Sequence, residues 1–191
     1  MATALGIVGA IASGKSTAAR WFAERGWTVV DADAEAHALY APGSELVAAL
    51  GDRFGSQILR GDGTVDRAAL GKIVFADPKA LADLDALVHP LARSRIWTAV
   101  ELALVRDEKV VLEMALLYRW PQMVARLDSI LGIHSCDAIR LERLVARSGL
   151  TREAAMARLG AQDQEVILAL ARTILDNDGS QGDLEAQLAK I

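Results

Sequence analysis

Near the start of the chain, Gly9, Gly14, Lys15 and Ser16 follow the spacing G-x-x-x-x-G-K-[ST]. That spacing suits the binding and transfer of phosphate. In such a loop, backbone N–H groups cradle phosphate oxygens and the lysine ammonium stands beside the β and γ phosphates. The serine hydroxyl is a ligand for Mg²⁺. The binding run is then Gly9, Ala10, Ile11, Ala12, Ser13, Gly14, Lys15, Ser16 and Thr17. Ala10 and Ala12 stand where such loops often carry glycine. Glycine is required only where φ is positive or where no Cβ fits against a phosphate. A working loop therefore predicts negative φ at both alanines, with their methyl groups turned away from the ligand.

Carboxylates make up the second set. Asp31 and Asp33 lie in VVDAD, at the end of a short apolar run. Spaced i, i+2 on an extended segment, they point to one side. One of them can take a proton from an attacking hydroxyl. Alternatively, Asp33 caps a helix over 34–40. Glu113 closes the run KVVLE. It either holds a Mg²⁺-bound water or is a surface carboxylate at a strand end.

These residues need a frame that brings them to one edge. Apolar runs at 4–8, 28–30, 109–113, 129–135 and 172–177 predict five strands. Helical stretches lie between them, beginning with one over 15–25 that Gly26 can stop. That alternation predicts an α/β fold with a parallel sheet and helices on both faces. Ligands of such sheets bind outside the C-terminal ends of the strands, where the glycine loop and the carboxylates fall. Residues 34–105 contain no convincing strand and are punctuated by Pro42-Gly43, Gly61-Asp62-Gly63, Asp77-Pro78 and His89-Pro90. They read as a helical insertion in which Asp77 caps the helix starting near Pro78. A second insertion spans 137–169, with Gly149 ending one helix and Thr151 capping the next.

Composition narrows the class. The chain has 191 residues, 52% of them hydrophobic and 24% charged, which suits one globular domain. A net charge of −4 argues against a general nucleic-acid partner. Cys136 is the single cysteine, so no internal disulfide forms and a reducing, cytoplasmic setting is expected. No run approaches the ~18 apolar residues of a membrane span.

The series Gly9–Thr17, VVDAD, PGS at 42–44, RFG at 53–55, IVF-x-D-P at 73–78, His89-Pro90, Leu116-Leu117 and DN-x-G at 176–179 resembles the dephospho-coenzyme A kinases. The resemblance extends over nearly the whole chain, and its specificity rests on DAD, IVF-x-D-P and HP rather than on the phosphate loop. It implies a P-loop, nucleotide-kinase-like three-layer sheet with a helical substrate subdomain at 34–105 and a helical lid at 137–169. It also implies ATP with Mg²⁺ and phosphorylation of the ribose 3′-hydroxyl of dephospho-coenzyme A. Under it, Lys15, Asp33 and Arg147 are catalytic, with Asp33 as the base. Asp31, Asp33 and His89 bind the acceptor, although His89 reads equally well as a structural helix-start histidine. Ser16 and Glu113 serve the metal. Arg143, Asn177 and Gly179 reach the nucleotide. Without the resemblance, Arg140, Arg143, Arg147 and Arg158 read as a solvated helix face. The resemblance also implies a small-molecule partner and a monomer or weak homo-oligomer.

Three stretches depart from the family pattern. His37 stands where an arginine is usual, four residues after Asp33. Ala115-Leu116-Leu117-Tyr118-Arg119 replaces Pro-Leu-Leu followed by an acid. DQEVILALA after Gln162 lacks the usual basic residues. The first two put the acceptor in question more than ATP. Two other readings stay open: another small-molecule or nucleotide kinase, and a nucleotide-binding protein without turnover.

Overall fold

A computed structural model describes residues 2–191. Among them, strands β1 (Thr3–Val8), β2 (Thr28–Asp31), β3 (Lys109–Glu113), β4 (Ser129–His134) and β5 (Thr173–Asp176) form one parallel sheet in the order β2-β3-β1-β4-β5. β1 is central, with Ile7 level with Glu113 on one side and Leu131 on the other. Its apolar run suits a strand covered on both faces.

Period-two alternation assigns the faces. Leu5, Ile7, Val111, Leu131, Ile133 and Leu175 pack with helices α1 (Lys15–Ala23) and α10 (Gln181–Leu188). The opposite face closes tightly over glycines. A Cβ on Gly6 would come within 2.9 Å of Leu127, and one on Gly132 within 2.8 Å of Leu168 in the short helix Gln164–Leu168. The result is a three-layer α/β fold.

The chain divides into two compact units. One comprises the chain up to Asp31 together with Val100–Ile191 and holds the sheet. It also carries helices at Pro121–Val124, Asp137–Ser148, Arg152–Gly160 and Gln164–Leu168. Gly149, at φ 64°, closes Asp137–Ser148, and Thr151 accepts the Ala154 N–H at 3.3 Å to begin Arg152–Gly160.

The other unit, Ala32–Ala99, is helical. It contains α2 (Ala32–Ala38), α3 (Glu45–Phe54), α4 (Arg67–Ala76) and most of α5 (Pro78–Val105). With α5 placed, the later helices number α6 (Pro121–Val124), α7 (Asp137–Ser148), α8 (Arg152–Gly160) and α9 (Gln164–Leu168). Leu46, Leu50, Ile58, Leu70 and Val74 are the centre of the helical unit's own core. Ser44 caps α3, Asp66 caps α4, and Asp77 accepts the Lys79 N–H at 2.9 Å as α5 begins.

His89-Pro90 does not interrupt the chain as expected: Pro90 lies inside α5. An interior proline costs about 3 kcal/mol. Burial of Ala92, Ile96, Val100 and Ala103 along the same helix outweighs it. Among the described residues no helix is long and apolar enough to cross a membrane.

Candidate active site

β1 stops at Val8 and α1 starts at Lys15, so the glycine run is the loop between a buried strand and a helix N-terminus. That end of a helix carries partial positive charge and unpaired N–H groups suited to an anion. The first turn of α1 holds no acid to oppose one. Gly14 adopts φ 105°, and a Cβ there would lie 2.0 Å from Asn177 Nδ2. A Cβ on Gly9 would lie 2.5 Å from Ser13 Oγ and 2.6 Å from the Ile133 carbonyl oxygen. Both fixed glycines thus answer to contacts with distant chain as well as to the loop. Lys15 Nζ donates to the Ala10 carbonyl at 3.3 Å, across the loop. Ser13 is fully buried, and its hydroxyl has no hydrogen-bond partner among the described residues.

The expectation for the alanines holds for Ala10 and fails for Ala12. Ala10 is buried and its φ is not positive, but Ala12 has φ 62°. An L residue in the left-handed region costs roughly 1–2 kcal/mol. The compensation is tertiary. Ala12 and Ile11 pack against Leu141, Leu144, Ala155 and Leu159 of α7 and α8. A methyl group is useful at this position because it has a partner, and glycine would leave that contact empty.

Ile11, the residue before Ala12, is held on both sides, through its N–H and through its carbonyl. Ile11 N–H donates to Gln162 Oε1 at 2.7 Å, and the Ile11 carbonyl accepts from Arg140 Nε at 3.0 Å. Arg140 is 2% exposed, although it belongs to a helix that reads as polar. Its Nη1 donates to Asp137 at 2.8 Å. Burial pulls the guanidinium below the ordinary arginine value, and Asp137 opposes that pull. Asn177 adds a third tie, donating from Nδ2 to the Ser13 carbonyl at 2.7 Å.

Ser16 Oγ donates to Glu113 Oε1 at 2.7 Å, which brings together the two residues expected to serve a cation. A hydroxyl and a carboxylate are hard oxygen donors of the kind Mg²⁺ takes. The donor set therefore fits that ion.

Arg143 and Arg147 lie one turn apart on α7. Arg143 donates to Ser135 Oγ at 3.3 Å and to the Gly179 carbonyl at 3.5 Å, whereas Arg147 is exposed. Arg143, Gly14, Thr17, Asn177 and Gln181 line a cavity of about 220 Å³ at the start of α1. Arg158 is exposed on α8. Asp178 accepts from the Cys136 N–H and from Ser135 Oγ, both at 2.8 Å, and fixes the start of α7. These bonds, the backbone N–H first, hold its carboxyl below the ordinary aspartate range.

Asp31 and Asp33 differ from expectation. Asp31 ends β2, and α2 begins at Ala32, so Asp33 lies in the first turn of the helix. It is not the cap, and the two carboxylates do not share an extended segment. The helix starts two residues earlier than the sequence reading placed it, at a buried alanine. His89 is interior to α5 rather than at a helix start, and pairs with Asp85 at 3.5 Å. His37 Nδ1 lies 3.0 Å from an Arg67 guanidinium nitrogen, within the helical unit. In the unusual stretch after β3, Leu117 is fully buried and Arg119 Nε donates to Tyr118 at 3.3 Å.

Sequence reasoning missed the ties made by Arg140, Gln162 and Asp178. A faint signal existed for Arg140, because it shares a helical face with Leu141 and Leu144 rather than standing opposite them. Nothing local marks Gln162.

A sequence model of the family described as dephospho-CoA kinase matches residues 3–183. A curated dephospho-CoA kinase of Symbiobacterium thermophilum is 41% identical, over 96% of this chain and 77% of that protein. A solved structure from Thermus thermophilus is 36% identical with a TM-score of 0.78, covering 100% of this chain and 98% of that one. The solved dephospho-CoA kinase of Campylobacter jejuni is 28% identical with a TM-score of 0.69, covering 98% and 94%.

Proposed function

The chain belongs to the dephospho-CoA kinase family, and from that premise we propose how its residues divide the work of phosphorylating dephospho-coenzyme A. ATP is the donor, and coenzyme A and ADP are the products. This is the last step of coenzyme A biosynthesis, carried out on a small molecule in the cytoplasm.

The ribose 3′-hydroxyl oxygen attacks the γ-phosphorus in line. The bond from that phosphorus to the β–γ bridging oxygen breaks, and ADP leaves with the electron pair. The hydroxyl proton passes to the Asp33 carboxylate. Lys15 stands beside the β and γ phosphates and offsets charge that grows on the transferring group. Loop N–H groups and the α1 N-terminus hold the phosphate oxygens, and the spare Ser13 hydroxyl suits an added acceptor. Ser16 and Glu113 would hold Mg²⁺, which when bound would neutralise phosphate charge. Arg143, Asn177 and Gly179 receive the nucleotide, and Arg147 supplies a forked cation to the phosphates. Asp31 and His89 support the acceptor.

The observation that carries this reading is the fully built phosphate loop, with Ser16 and Glu113 in hydrogen-bond contact, in a chain that matches the family from residue 3 to 183. A coupled ADP-release assay tests it. ADP release should require dephospho-coenzyme A and should not occur with adenosine or nucleoside monophosphates. Equal rates with a nucleoside monophosphate would point to another small-molecule kinase. ATP binding without release would point to a non-catalytic protein.

A further inference from the structure

At the C-terminal edge of the sheet, three side chains that the phosphate chemistry does not use converge. His134 ends β4, Asp176 ends β5, and the two are level in the parallel register. Ile133 and Leu175, one residue earlier on each strand, pack toward α1 and α10. Alternation therefore sends His134 and Asp176 out of the opposite face, side by side. Asp178 follows two residues later. One imidazole nitrogen and one oxygen from each carboxylate all lie within 4.8 Å of one another.

Hydrogen bonding does not account for this arrangement. His134 Nδ1 stands 3.4 Å from Asp176 Oδ2, beyond the roughly 2.7–3.2 Å of an ordinary N–H···O bond. That separation is the spacing of two ligands on one tetrahedral ion: bonds of about 2.0–2.1 Å place their donor atoms ~3.4 Å apart. Charge points the same way. Among the described residues, neither Asp176 nor Asp178 forms an ion pair with a lysine or an arginine. Two close carboxylates repel, and a divalent ion between them removes that cost.

The candidate ligands are also held ready. The Asp178 N–H donates to Asp176 Oδ1 at 2.9 Å. Asp178 takes the Cys136 N–H and the Ser135 hydroxyl on one oxygen, Oδ1. A cation on its other oxygen leaves those bonds in place. Such outer contacts orient metal ligands before an ion arrives.

We propose that His134, Asp176 and Asp178 bind a divalent transition-metal ion, with Zn²⁺ the best-fitting member, at a site built from other residues than Ser16 and Glu113. An imidazole with two carboxylates selects this class, because Mg²⁺ takes oxygen donors and keeps most of its waters. Three protein ligands leave one position for water. The ion would clamp the ends of β4 and β5 together. The segment it grips carries Asn177, which ties the Ser13 carbonyl at 2.7 Å, and Asp178, which fixes the start of α7. The site thus steadies the frame around the phosphate loop and takes no part in phosphoryl transfer.

Calorimetry of the untagged chain with Zn²⁺ tests the proposal, in millimolar Mg²⁺ and without nucleotide. The chain should bind one Zn²⁺. Losing a residue that merely orients a ligand costs about 10–100-fold in metal affinity. His134→Ala and Asp176→Asn, which remove ligands, should each weaken binding by at least tenfold. His134 is half-buried and Asp176 exposed, so both variants should fold, which the thermal midpoint without Zn²⁺ checks. In the wild type, Zn²⁺ at a hundred times its Kd should raise that midpoint by roughly 5–10 °C. At the same Zn²⁺ concentration the rise should fall by about half or more in either variant. Ser16→Ala and Cys136→Ser should bind Zn²⁺ as the wild type does. With Mg²⁺ and no Zn²⁺, ADP release by His134→Ala should stay within twofold of wild type.

No Zn²⁺ binding, or unchanged binding in either ligand variant, overturns the proposal. So does loss of binding in Ser16→Ala or Cys136→Ser, which would move the ion to the reaction's metal or to the thiol. A larger fall in ADP release by His134→Ala overturns the separation from phosphoryl transfer. Binding is read without ATP or acceptor, so its failure is distinct from failure of the functional reading.

Discussion

The phosphate loop and the helical unit are held by different means. Residues far away in sequence hold the loop: Arg140 and Gln162 grip Ile11 at its carbonyl and its N–H, Asn177 grips Ser13, and α7 and α8 pack on Ala12. The helical unit is held from within: Leu46, Leu50, Ile58, Leu70 and Val74 make its core, and Arg67 meets His37 and Tyr40 of the same unit. The contrast follows from what a phosphate loop has to do. Stabilising charge that develops in a transition state requires donors fixed in advance.

The sharpest test of the contrast is at Asp33. Asp33→Asn keeps shape and removes the base, so kcat should fall by about a hundredfold to ten-thousandfold. ATP affinity, measured by calorimetry, should stay near wild type because the loop is untouched. If the variant loses its folded baseline instead, the first-turn carboxylate serves α2 and not the reaction.

Lys15→Ala attacks the preorganised side. Loss of one such charge partner typically costs about a hundredfold to a thousandfold in kcat. ADP release from the variant measures it, and near-normal turnover would remove Lys15 from the mechanism.

Arg140→Met and Gln162→Ala probe the ties rather than the contacts to ligand. Each should raise KM for ATP, by up to about tenfold, with a smaller change in kcat. Because both side chains hold one residue, Ile11, the double variant should depart from additivity by about 0.5–3 kcal/mol in ATP binding. Additive effects would mean that the two act on separate features.

Ala12→Gly should have the smallest effect. It relieves the left-handed strain of about 1–2 kcal/mol. It also forfeits a packed methyl worth about 0.8 kcal/mol and loosens the unfolded chain less favourably by ~0.4–1 kcal/mol. Thermal unfolding should shift by the equivalent of less than about 1 kcal/mol. A large gain would show that packing on α7 and α8 does not hold this position.

Much of the frame is local. The five strands and the caps at Ser44, Asp66, Asp77 and Thr151 follow from period, apolar runs and short-range hydrogen bonds, and the central position of β1 from its unbroken apolarity. The glycine–lysine run carries its own phosphate chemistry, because that chemistry is made by consecutive backbone groups. Pro90, Ala12 and Arg140 lie beyond this local logic. A proline is tolerated inside α5 because of burial along the rest of the helix. The positive φ of Ala12 is stabilised by side chains of α7 and α8. Ile11 is fixed through its carbonyl and its N–H by residues 129 and 151 positions away. The sequence alone determined which segments become strands and helices and which residues can handle phosphate, since those depend on neighbours along the chain. Only the tertiary structure decided how the loop is held and which arginine is buried. Those depend on long-range partners, whose packing can outweigh a local cost of one or two kcal/mol.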